Sequence, residues 1–181
     1  EYSFIDANNP DSKPIVFQER QEEIVYDIEH FDNEFLIITD YKAPNYRLMK
    51  TSETKTGIKN WKEIIPHNKK ILLENFDEFK DFLVLEERID GLTKIRIINR
   101  ITNEEHYLDF GEESYTVWSS YNPEIDTEIL RFGYSSLTTP SSTYDYNMRT
   151  REKTLVKQQE VIGDFKPENY VFQLALLIVS F

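Results

Sequence analysis

Short apolar runs recur at a fixed interval along the chain. Phe35-Leu36-Ile37-Ile38-Thr39, Phe82-Leu83-Val84-Leu85-Glu86 and Ile129-Leu130-Arg131-Phe132-Gly133-Tyr134 start 47 residues apart, twice over. Each is preceded by another strand-like segment, at 25–28, 71–74 and 115–118. Each is followed by an alternating one, at 46–50, 94–98 and 143–148, in which Leu48, Ile97 and Tyr146 recur every 49 residues. A last segment closes each unit, at 61–65, 105–109 and 154–157. Turn residues stand between the segments, among them Ala43-Pro44-Asn45, Asp90-Gly91 and Thr139-Pro140-Ser141-Ser142.

Four short antiparallel strands every ~45 residues is the sequence pattern of a propeller blade. One such sheet has two faces and covers neither, so stacking sheets about an axis is what buries the apolar positions. The expected fold is therefore all-β, a partial β-propeller of about three to four four-stranded antiparallel blades. Blades are expected at 25–66, 71–110 and 115–161, and residues 1–24, with strands at 1–5 and 14–17, read as the end of an earlier blade. A meander sandwich with coincidental spacing is the competing reading, and only five Gly weigh slightly against a propeller. Composition agrees with strands: aromatics reach 14% while Ala occurs only at positions 7, 43 and 175.

Charge narrows the function classes. The net charge of −12 argues against a nucleic-acid binder, which needs a basic stripe, and against a polybasic membrane anchor. No Cys is present, so a disulfide framework, a thiolate metal site and a Cys nucleophile are excluded. Ser135, in Gly133-Tyr134-Ser135-Ser136, lacks the second Gly of a nucleophile elbow and reads as a strand-end serine. His30, His67 and His106 are scattered without metal-ligand spacing and read as surface histidines. Acidic pairs, Glu112-Glu113 among them, read as solvated edges, because neighbours on a strand point to opposite faces. Glu86-Glu87-Arg88 is the exception: it ends an inner strand and is the candidate for an inter-blade ion pair or a domain interface. No catalytic, cofactor-binding or metal-ligating residue is assigned, and no cofactor is implied.

Three strings carry a family resemblance. Leu85-Glu86-Glu87-Arg88-Ile89-Asp90-Gly91-Leu92-Thr93 with Ile95-Arg96-Ile97-Ile98-Asn99-Arg100, then Arg131-Phe132-Gly133-Tyr134-Ser135-Ser136-Leu137-Thr138-Thr139-Pro140, then Leu155-Val156-Lys157-Gln158-Gln159-Glu160-Val161 stand in order, with Tyr121-Asn122-Pro123-Glu124 between. Over roughly residues 1–170 the chain resembles the C-terminal part of the N-terminal propeller of the prolyl oligopeptidase family of serine peptidases. The Glu-Glu-Arg-x-x-Gly-Leu string points to its oligopeptidase B (protease II) branch.

The resemblance implies a seven-bladed propeller capping an α/β-hydrolase domain that carries the Ser-Asp-His triad. It implies that the propeller excludes folded proteins while short peptides reach a site that cleaves after Lys or Arg. This chain is then expected to be a non-catalytic fragment whose partners are the missing hydrolase domain and, in the parent, short basic peptides. The alternatives are a free-standing β-rich protein-binding module and the propeller of a proline-specific oligopeptidase. Exposed blade edges predict a homo-oligomer, and neither nucleic acid nor membrane is expected as a partner. The chain opens on Glu1 rather than Met without a signal pattern, so a cut end is expected, and a cytoplasmic location. The apolar stretch 171–181 departs from the family and is too short to span a bilayer. It is expected to be an aberrant tail left by truncation or a frameshift, or else a cover for a blade edge.

Overall fold

The computed structural model describes residues 1–163, 166, 169 and 170, so the tail expected at 171–181 lies outside the described residues. The described residues are all-β with almost no helix, the three-residue 3-10 turn Ile58–Asn60 lying between β-strands. Its sheets have two to four antiparallel strands, the make-up of a partial β-propeller. It divides into two compact units, Glu1–Leu73 and Glu74–Phe181.

In the first unit, β1 (Ser3–Phe4) pairs with β2 (Ile15–Val16). The meander β3 (Tyr26–Phe31), β4 (Glu34–Thr39), β5 (Arg47–Ser52) and β6 (Lys62–Ile65) follows. The two-residue turn Asp32-Asn33 fixes the first hairpin register, with Asp32 at φ 56°. Phe17, Phe35, Ile37, Met49 and Trp61 form the core, with Phe4, Tyr26, Ile28 and Ile58 against it. The rings meet edge-on, Phe17 to Phe35 at 4.9 Å and Tyr26 to Trp61 at 5.5 Å. The buried indole N–H of Trp61 is satisfied by the Thr56 carbonyl at 2.6 Å.

The sheet β7 (Ile71–Glu78), β8 (Phe82–Ile89), β9 (Leu92–Asn99) and β10 (Glu105–Tyr107) is again a meander in chain order. Asp90 (φ 50°) and Gly91 (φ 85°) make the two-residue β8–β9 turn that the Asp-Gly pair favours. The next sheet is β11 (Tyr115–Ser119), β12 (Ile129–Ser136), β13 (Ser142–Asn147) and β14 (Lys153–Gln158). Within the second unit these two sheets share one apolar core. Phe79, Phe82, Val84, Ile95, Ile97 and Leu108 come from the first, and Val117, Leu130, Phe132, Tyr134, Tyr146 and Met148 from the second. The period-2 pattern explains the selection: Phe82 and Val84 on β8 and Leu130, Phe132 and Tyr134 on β12 are alternate residues, so each set lies on one face.

Candidate functional site

The polar groups that tie the second unit together sit around this shared core. Ser119, at the end of β11, donates its backbone N–H to Glu86 Oε1 at 2.7 Å and its hydroxyl to Asp77. Two carboxylates from β8 and β7 are thus brought to one residue of the neighbouring sheet. Burial raises the pKa of Asp77 against the opposing effect of the Ser119 hydroxyl. Burial also raises that of Glu86, with the Ser119 N–H opposing and the charges of Asp77 and Glu74 adding to the rise. Elsewhere along the same seam, Arg149 bridges Asp81 (3.1 Å) and Glu128 (2.5 Å) with its guanidinium above the Phe82 ring.

The string Glu86-Glu87-Arg88 divides as strand alternation requires. Glu86 lies on the face of Phe82 and Val84 and reaches the next sheet as a hydrogen-bond acceptor, not as an ion pair. Glu87 turns to the other face and is buried, 2% exposed. There it pairs with Arg96 at 3.1 Å and accepts the Tyr107 hydroxyl at 2.5 Å, both inside its own sheet. Burial, followed by that bond to Glu87, pushes the Tyr107 phenol up to about 12. Arg88 pairs with Glu74 of β7 at 2.7 Å, also within its sheet.

Several groups read from the sequence as bland surface are bound into the structure. Glu112 collects the hydroxyls of Tyr134 (2.6 Å), Thr138 (3.0 Å) and Thr139 (3.2 Å). Burial alone would raise its pKa; hydrogen bonds from Ser136, Tyr134, Thr138 and Thr139 together hold it below the ordinary value. The hydroxyl-rich Ser-Ser-x-x-Thr-Pro loop was the available signal. His106 is not a surface histidine: it is half-buried, and its Nε2 shares a hydrogen bond with the Tyr146 hydroxyl at 2.8 Å. Burial, aided by the nearby charge of Arg151, lowers its pKa and keeps it neutral at pH 7. His30 does lie at the surface, paired with Glu53 at 3.2 Å, and His67 is partly buried. Ser135 sits inside β12 opposite Thr116. Among the described residues no group of three or more His, Cys, Asp or Glu is placed to hold a metal ion, and no helix is long and apolar enough to cross a membrane.

With the sheets in hand, comparison with known proteins is decisive. Residues 2–159 match the family described as prolyl oligopeptidase, N-terminal beta-propeller domain. The chain belongs to this family. Among curated relatives of this propeller family, dipeptidyl aminopeptidase BI of Pseudoxanthomonas mexicana is 32% identical over 158 residues, covering 85% of this chain and 22% of that protein. Protease 2 of Moraxella lacunata is 29% identical over 165 residues, covering 91% and 23%. Among solved structures, oligopeptidase B of Trypanosoma brucei with covalently bound antipain superposes with a TM-score of 0.78 at 28% identity, over 88% of this chain and 24% of that one. Oligopeptidase B of Leishmania major gives the same TM-score at 23% identity, a likeness of fold alone. The chain thus spans less than a quarter of the length of the relatives it matches, and in them the propeller is one part of a larger peptidase.

Proposed function

We propose that this chain is the non-catalytic part of a propeller in an oligopeptidase B-like serine peptidase, gating access of short peptides to a hydrolase domain outside it. The single observation that carries the reading is the alignment of 88% of the chain on oligopeptidase B at 28% identity and a TM-score of 0.78. The Glu-Glu-Arg-x-x-Gly-Leu string at 86–92 supports cleavage after Lys or Arg in the parent. Glu86, Glu87 and Arg88 are the residues to test at the domain interface. Blades at 25–66, 71–110 and 115–161 are part of the same proposal, as is a cytoplasmic location.

Incubating the chain with a chromogenic Arg or Lys peptide should give no turnover sensitive to serine inhibitors, and inhibitor-sensitive turnover would refute the non-catalytic assignment. For gating, this segment is exchanged into the matching position of Protease 2. The chimera should cleave short Arg peptides and leave intact a folded protein that carries the same Arg sequence in an exposed loop. Equal cleavage of both would overturn the gate.

A second reading is favoured by the 32% identity to dipeptidyl aminopeptidase BI: a parent that removes dipeptides from free N-termini. Substrate profiling of the full-length parent of this chain with N-acetylated and free peptides separates the two. The exposed strand β14, with Leu155 and Val156 half-exposed, supports self-association through a blade edge. Light scattering showing a monomer at high concentration would remove that proposal.

A further inference from the structure

Acids outnumber bases 33 to 21 in this chain, and most of its arginines hold a carboxylate; exposed Arg20 and Arg151 hold none among the described residues. In the second unit Arg88, Arg96, Arg100, Arg131 and Arg149 all hold ion pairs. Arg151 forms none among the described residues, although it sits in the β13–β14 turn in a left-handed conformation, φ 65°. Lys153, two residues on, also lacks a carboxylate there; its ammonium lies 5.4 Å from the Phe110 ring centre and 5.1 Å from that of Tyr144.

Arg151 and His106 line two hollows on this side of the seam. One, about 200 Å³, has Phe82, Ile97 and Met148 as its apolar lining. The other, about 260 Å³, adds Phe110, Phe132, Tyr146 and Lys153. Two acids also line them, Glu104 the first and Asp109 the second, and neither pairs with Arg151 or Lys153. His106 is neutral at pH 7 and hydrogen-bonded to Tyr146, so its ring adds polarity without charge.

We propose that this groove binds a short peptide by its C-terminal carboxylate, with Arg151 and Lys153 holding the carboxylate and the aromatic and apolar lining taking the last side chain. An unneutralised guanidinium presents a fork of donors matched to a carboxylate. Adjacent apolar walls select an anion with a hydrophobic body over a bare inorganic one. The chain's net charge of −12 disfavours a polyanion. The assignment stands independently of the gating role.

The test is calorimetric titration of the full chain with N-acetylphenylalanine, N-acetylphenylalaninamide and inorganic phosphate. The acid should bind with one-to-one stoichiometry and perturb the His106 ring proton signals. The amide and phosphate should each bind at least about tenfold more weakly. Arg151→Gln should weaken the acid about tenfold and Lys153→Gln severalfold, on the scale of one charge-assisted hydrogen bond. Arg151→Gly, which relieves the left-handed backbone, should give the same loss and so separates charge from folding. No binding by the parent chain, equal binding of acid and amide, or unchanged binding by both Arg151 variants would overturn the proposal. Phosphate binding as tightly as the acid would reassign the groove to inorganic anions and overturn it equally.

Discussion

β8 and β12 hold the same place, second in their sheets, and each runs for eight residues. They are buried differently. Phe82, Leu83, Val84 and Leu85 are consecutive buried residues, whereas in β12 exposed Ile129 and Arg131 alternate with buried Leu130 and Phe132. A strand covered on both faces loses the apolar–polar alternation, and a strand with one open face keeps it. The open face of β12 is not empty: Trp118 lies across it, and a Cβ added to Gly133 would fall 2.1 Å from the indole. Arg131 and Asp145 make a two-pronged pair on the same face, at 2.7 and 2.8 Å. The two strands thus set two environments for a single side chain.

The sharpest way to break the comparison is to place a charge on the second face of each strand. Leu85→Lys strands an ammonium in a fully buried position and should cost about 3–5 kcal/mol or abolish cooperative unfolding. Ile129→Lys on the open face should stay within about 0.5 kcal/mol. Urea melts of the two variants decide it; equal midpoints would show that the faces are not distinct. Next in size is Gly133→Ala. Its methyl must displace Trp118, at a cost of about 1–3 kcal/mol for overpacking. In a Trp118→Ala background most of that cost should vanish, and a double-mutant cycle without coupling would refute the close approach.

These contrasts were partly legible. The unbroken Phe82–Leu85 run and the interrupted Ile129–Tyr134 run are different sequences, and the 47-residue spacing placed the second strand of all three four-stranded sheets within a residue. Strand alternation also anticipated that Glu86 and Glu87 part company, although not that Glu86 would meet a backbone N–H of β11. What stayed hidden depends on contacts between segments far apart in sequence. His106 and Tyr146 are 40 residues apart and meet only because β10 of one sheet packs near β13 of the next. Glu112 looked like one of many solvated acids because the hydroxyls that surround it come from positions 134–139. No local pattern marks a carboxylate as an acceptor; the folded loop does.

The smallest effects come from two carboxylates that titrate in opposite senses. Glu112 is held below its ordinary 4.5: burial opposes this, and the hydroxyls of Ser136, Tyr134, Thr138 and Thr139 prevail. Its contribution is present above the unfolded value and is lost as pH falls through the lower folded one. Glu112→Gln should therefore destabilise by about 1 kcal/mol at pH 7, a cost that shrinks as pH drops below the ordinary carboxylate range. Asp77 is raised above 3.8 by burial, with the Ser119 hydroxyl opposing. Its ionised form costs stability at neutral pH, and that cost is relieved as pH falls through the raised folded value. Asp77→Asn keeps an oxygen for the Ser119 hydroxyl and should raise the melting temperature at pH 7, with a gain that fades toward pH 3. Since the Asp77 charge also lifts Glu86, the same substitution should move the Glu86 carboxyl titration, followed by NMR, toward lower pH. A melting temperature that falls at pH 7 would mean that the Asp77 charge is needed to hold Ser119, and that the seam between β7 and β11 is bound by charge rather than by fit.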